Sequence, residues 1–109
     1  MAIPHTTPGQ LIDVRPFGLR LQSEKTTALF KSEQLEVIRL VLQAGKSLPP
    51  HSVAGEITIQ CIEGRINVTV SSQSHLLEAG EMLFLARSAS HGVVAIEDSS
   101  ALVTIVLSK

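Results

Sequence analysis

The sequence predicts an all-β fold, a single-domain antiparallel jelly-roll barrel that spans residues 1–109. Three observations lead to this prediction. Short runs of β-branched and apolar residues recur along the chain, turn residues such as Gly, Pro and Ser separate them, and no stretch requires a helix longer than a turn or two. About eight or nine runs occur at the spacing expected of a jelly roll. The length suits one domain with one modest core.

The predicted strands cover most of the chain after residue 25. Their ranges are 26–30, 34–43, 55–62, 65–71, 74–77, 82–86, 91–96 and 101–107. The run at 65–71 shows the pattern most clearly, because Ile66 and Val68 alternate with Asn67 and Thr69. Such alternation predicts a strand with one buried and one exposed face.

Two other segments are less regular. Residues 11–14 form a short apolar run, and residues 1–10 are expected to be an N-terminal arm. The run at 34–43 also fits the spacing of a helix, but its β-branched content and the Gly45 that follows favour a strand.

The last predicted strand, 101–107, is apolar on both faces. Val103 and Ile105 would lie on one face, and Leu102 and Val106 on the other. A strand buried on one side only should alternate. Either the N-terminal segment covers the second face or a second subunit does, and we predict a homodimer.

Composition and charge exclude several classes of function. Nine basic and ten acidic residues give a net charge of −1 without a basic stripe, so we expect no nucleic-acid partner. No apolar window reaches the length of a membrane span, and residues 1–10 do not resemble a signal peptide. A single cysteine, Cys61, cannot form an internal disulfide, which fits a cytoplasmic protein. With three Phe and no Tyr or Trp, stacking platforms for sugars or bases are scarce.

Two segments resemble the paired motifs of the cupin superfamily. The first family motif begins with Gly, five residues and His-x-His, and Gly45 followed by His51 keeps this spacing. Val53 stands at the second His position. The Glu position, counted back from Gly64, falls on Ile57, one residue after Glu56.

The second family motif runs Gly, five residues, Pro-x-Gly, two residues, His, three residues, Asn. Gly80 and His91 keep its spacing, while Ala86 and Ser88 replace the Pro and the Gly and Ala95 replaces the Asn. The resemblance covers roughly residues 35–107 and implies an RmlC-like jelly roll, which commonly pairs barrels edge to edge. It also implies an interior site at which three His and one Glu hold a divalent metal.

In this chain, His51 and His91 remain at matching positions, so they are the candidate ligands for a small molecule or for Ni, Zn, Mn or Fe. A third donor depends on the register after His51. In an unbroken strand, Ile57 and Ile59 would share its face and the pocket would be apolar. A bulge at Gly55 would instead bring Glu56 or Gln60 to the histidines.

Three functions remain open from these residues. The first is a barrel that binds a small molecule, with a metal as an optional cofactor and without strong catalysis. The second is a metal-dependent oxygenase or isomerase that uses His51 and His91 with Glu56 or Gln60. The third is a structural dimer module whose interior is filled by side chains. The degraded motif and the absence of Tyr favour the first.

Overall fold

The computed structural model describes residues 6–107, and these residues fold almost entirely into antiparallel strands. The strands are β1 (Thr27–Lys31), β2 (Leu35–Leu42), β3 (Ser47–His51), β4 (Ile57–Glu63), β5 (Arg65–Val70), β6 (Gln73–Glu78), β7 (Met82–Leu85), β8 (His91–Ala95) and β9 (Ser99–Val106). A 3-10 helix at Gly18–Ser23 is the single helical element of the described part. The all-β prediction is therefore confirmed.

The strands form two sheets that face each other. The five-stranded sheet has the order β1-β2-β9-β4-β7, and the four-stranded sheet has the order β3-β8-β5-β6. Alternation directs one side of each strand inward, as on β5, where Ile66 and Val68 are buried. The core lies between the sheets and includes Leu40, Ile57, Ile59, Cys61, Ile66, Val68, Leu77, Leu85, Val93 and Ala101.

Strand β3 is the element that sequence reasoning missed. It contains Pro49 and Pro50, which cannot donate to a ladder of hydrogen bonds and therefore argue against a central strand. The structure places β3 at the edge of the four-stranded sheet, where it pairs with β8 alone, and prolines are tolerated there. Its register shifts between Leu48 and His51, on either side of the two prolines.

Residues 11–14 are not a strand, and 34–43 is a strand rather than a helix. The described part of the predicted arm lies beside β1, where the Thr6 amide donates to the Leu29 carbonyl at 3.0 Å. Residues 1–5 of that arm lie outside the described part.

The N-terminal segment also covers part of the outer face of the five-stranded sheet. The amides of Phe17 and Gly18 donate to the Glu63 carboxylate at 2.9 and 3.1 Å, and Arg39 donates to the Arg15 carbonyl at 2.9 Å. At the far end of β9, Val106 remains 42% exposed. The N-terminal segment thus contacts the Arg39–Glu63 pair beside Ser100 at the start of β9, and the cover of Leu102 and Val106 stays a prediction. No helix among residues 6–107 is long and apolar enough to cross a membrane.

Candidate functional site

A cavity of about 280 Å³ lies between the two sheets. The five-stranded sheet and the residue before it contribute Thr26, Ile38, Leu40, Ile57, Ile59, Val103 and Ile105, and the four-stranded sheet contributes Leu48, His51, His91, Gly92 and Val93. The volume is close to the lower end of the range for small-molecule sites, roughly 300 Å³. Most of the wall is aliphatic, so its few polar groups determine what can bind.

His51 and His91 meet in this cavity. They are direct partners in the β3–β8 ladder, and paired residues place their side chains on the same face of a sheet. Their ring centroids are 4.5 Å apart and the rings are tilted by 50°. His91 is 4% exposed, whereas His51 is exposed, so His51 lies at the mouth of the cavity and His91 lies deeper.

The backbone orients both imidazole rings in the same way. His91 Nδ1 is 3.2 Å from the Ala89 carbonyl oxygen, and His51 Nδ1 is 3.4 Å from the Pro49 carbonyl oxygen. A carbonyl oxygen only accepts, so Nδ1 is the donor of each contact, and in the neutral tautomer that matches this contact Nε2 carries a lone pair. The lone pair of each Nε2 is then left for a ligand.

Glu56 and Gln60 do not join the histidines. The register of β4 runs without a shift from Ile57 to Cys61, which places Ile57 and Ile59 toward the cavity and Gln60 on the outer face. Glu56 is exposed before the strand begins. The bulged alternative, in which either residue supplies a third donor, is therefore not the register that the chain adopts.

The reason is that His51 and Ile57 do not belong to one strand. The chain leaves the four-stranded sheet after His51 and enters the five-stranded sheet at Ile57. Alternation cannot be counted across that loop. His51 and Ile57 instead line the cavity from opposite sheets. Gly55 has a different role: a Cβ there would overlap the Val106 carbonyl oxygen.

The site does not fit the four-ligand metal centre that the family resemblance implies. Within residues 6–107, no group of three or more His, Cys, Asp or Glu side chains is close enough to hold an ion. Cys61 is not among the cavity-lining residues. Burial raises the pKa of its thiol, opposed by a hydrogen bond with the Glu63 backbone, so it is a poor nucleophile and a poor ligand.

The family assignment follows from the sequence comparison. Residues 38–107 match the model of the cupin domain, which is more than half of the chain. The chain belongs to the cupin family. A comparison with curated proteins found no match.

Solved structures with the same fold agree with this assignment. An RmlC-like cupin from Desulfovibrio desulfuricans is 25% identical, with a TM-score of 0.75 over 89% of this chain and 96% of that one. An RmlC-like cupin with a double-stranded β-helix fold from Methanocaldococcus jannaschii is 18% identical, with a TM-score of 0.74 over 91% and 94%. A salicylate 1,2-dioxygenase variant from Pseudoaminobacter salicylatoxidans is 19% identical, with a TM-score of 0.64 over 67% of this chain and 21% of that one. The fold is therefore shared with an enzyme and with cupins whose names state no function, so the fold by itself does not identify an activity.

Proposed function

We propose that this cupin binds a small, largely apolar molecule in the cavity between its sheets, without strong catalysis and without a resident metal. The observation that carries the proposal is the pair of imidazoles, 4.5 Å apart, in an otherwise aliphatic cavity of about 280 Å³. A cavity with an apolar wall and a few convergent polar groups is the usual form of a small-molecule site.

The chemistry of the wall supports binding rather than catalysis. The only titratable side chains among the lining residues are His51 and His91. Neither a carboxylate nor a thiol from the described residues lines the cavity to act as a second acid, base or nucleophile. A ligand would therefore be held and shielded from water rather than transformed.

The proposal is tested by adding para-xylene, an apolar probe, to the purified protein and following thermal unfolding. Saturation at a hundred times the dissociation constant should stabilise the folded state by about 2.7 kcal/mol. Val103→Phe fills the cavity and should abolish the response, whereas Val94→Phe, on an exposed position of β8, should preserve it. para-Cresol, which has a hydroxyl in place of one methyl group of para-xylene, is tested in the same way. If neither molecule raises the midpoint of thermal unfolding, the proposal is contradicted.

The same titration with Zn²⁺, Ni²⁺, Mn²⁺ and Fe²⁺ tests whether the cavity binds a metal ion. Little or no shift of the unfolding midpoint is expected, because His51 and His91 supply half of the donors that the family's site requires. A large shift that is lost in the His51→Ala/His91→Ala double variant would show that two imidazoles hold an ion here.

A further inference from the structure

The cavity offers a ligand fewer free polar groups than its lining residues suggest. The lining residues include three with polar side chains, Thr26, His51 and His91. The Thr26 hydroxyl donates to the Val41 carbonyl at 3.2 Å and accepts from the Val41 amide at 2.9 Å, so its hydrogen is already used. The imidazoles are therefore the polar groups of the lining that remain for a ligand.

In their neutral form, both imidazoles offer a ligand acceptors and not donors. Each Nδ1 faces a backbone carbonyl, of Ala89 or of Pro49, and must supply the hydrogen of that contact. Each neutral ring then presents the Nε2 lone pair. The hydroxyl of Thr26 has no hydrogen to spare, so a ligand that matches this wall must bring its own donor.

The described wall also selects against charge. Aside from the two imidazoles, no ionisable side chain is among the lining residues. An ionic ligand would lose its hydration without meeting a fixed opposite charge, and that loss outweighs a single hydrogen bond. A neutral ligand with an O–H group meets the lone pair without this cost.

We propose that the cavity takes a neutral molecule with an apolar body and one hydroxyl group, whose O–H donates to Nε2 of His91; this rests on the proposed binding function. His91 is the main acceptor because it is 4% exposed, and a hydrogen bond shielded from water is stronger than one at the mouth, where His51 lies. A 150 Å³ cavity holds benzene, so 280 Å³ suits about ten non-hydrogen atoms.

The test compares para-cresol with para-xylene, which has a methyl group in place of the hydroxyl. Dissociation constants are measured by calorimetry for the wild type and for His91→Leu. The preference for para-cresol should fall about tenfold in His91→Leu, since the hydroxyl then lacks its buried partner. His91→Gln, which keeps an acceptor near the Nε2 position, should retain part of the preference.

His75→Leu is the matched control, because His75 does not line the cavity. It should leave the preference unchanged. If His91→Leu fails to fold, His51→Leu should still reduce the preference by a smaller factor, as the outer acceptor of the pair. Tighter binding of para-toluate or of para-methylbenzylammonium than of para-cresol would overturn the neutral class.

The two failures are distinguishable. Suppose that both probes bind the wild type, but that the ratio of their dissociation constants is the same in His91→Leu and His51→Leu as in the wild type. The hydroxyl inference is then overturned and the binding function stands. If neither probe binds the wild type, both are overturned. A ratio that changes with His91 and not with His75 supports the inference.

Discussion

At the scale of single residues, the largest departure from a plain apolar barrel is Arg39. It lies in the middle of β2, is 2% exposed, and donates through Nη2 to the Arg15 carbonyl, to Ser100 Oγ and to Glu63 Oε2. Its guanidinium also stacks on Phe17, 4.1 Å from the ring centroid. This group ties the N-terminal segment to the outer face of the five-stranded sheet, on the side of that sheet away from the cavity.

The carboxylate of Glu63 is the anionic partner in this cluster. Burial raises the pKa of Glu63. Hydrogen bonds from Ser100, Phe17 and Gly18, together with the charge of Arg39, lower it by more than burial raises it, so the net pKa lies below the ordinary value of 4.5. Because the pKa is lower in the folded state than in the unfolded chain, ionised Glu63 stabilises the fold above about pH 4.5. That contribution is lost as the pH falls through the folded pKa.

Replacing Glu63 by Gln is expected to lower the free energy of unfolding by about 3 kcal/mol at neutral pH, because Arg39 then keeps a buried charge without an opposite one. The variant should also lose less stability than the wild type as the pH falls below 4.5. Urea unfolding at neutral pH and at acidic pH measures both effects.

Glu97→Gln is the control, since its salt bridge with Arg65 is exposed and should be worth less than about 1 kcal/mol. Equal losses in Glu63→Gln and Glu97→Gln would contradict the role of the buried cluster.

At the scale of elements, the residues just before β4 pack tightly against the end of β9. The Val106 amide donates to the Glu56 carbonyl at 2.9 Å, and Gly55 packs so tightly that a Cβ would overlap the Val106 carbonyl oxygen. Glycine is needed here for space rather than for a bulge or an unusual φ. This contact sets where the chain enters the five-stranded sheet and so where Ile57 faces the cavity.

Gly55→Ala should therefore lower the free energy of unfolding by about 3 kcal/mol, because the strand ends must separate. The comparison is Gly45→Ala: Gly45 has a φ of +82° and open space around it, so only the backbone cost of about 1 kcal/mol applies. Denaturant unfolding measures the free energy of unfolding of both variants. Similar losses of stability in the two would contradict the prediction, because they would show that the backbone can move aside at Gly55 at little cost.

At the scale of the whole molecule, the outer face of the five-stranded sheet is apolar beyond the reach of the N-terminal segment. Phe84 is 63% exposed, Met82 58% and Val106 42%. Leu102 lies on the same face two strands away from Met82, with Gln60 of β4 between them in the ladder. We retain the prediction of a homodimer, with this face of the sheet, including these four apolar residues and the Gln60 between them, buried between the copies.

Sedimentation at micromolar concentration should give twice the mass of one chain, and Phe84→Glu should give a single-chain mass because a charge then lies in the apolar contact. Leu76→Glu changes an equally apolar and exposed residue on β6 of the other sheet, and should leave the dimer intact. A wild-type mass equal to one chain would overturn the prediction.

The class of fold, most of the strands and the family were readable from the sequence by itself. Alternation along 65–71 and the β-branched run at 34–43 act between near neighbours, so their pattern survives in the linear chain. The spacings from Gly45 to His51 and from Gly80 to His91 are also local, and they identified the two histidines that the structure brings together.

Only the tertiary structure decided what surrounds those histidines. Counting alternation from His51 to Gln60 assumed one strand, whereas the chain crosses from one sheet to the other between His51 and Ile57. The same is true of Arg39 and Glu63, which are 24 positions apart and meet because their strands flank β9. Which strands become neighbours depends on the burial of apolar faces across the whole barrel, and no local pattern encodes that pairing.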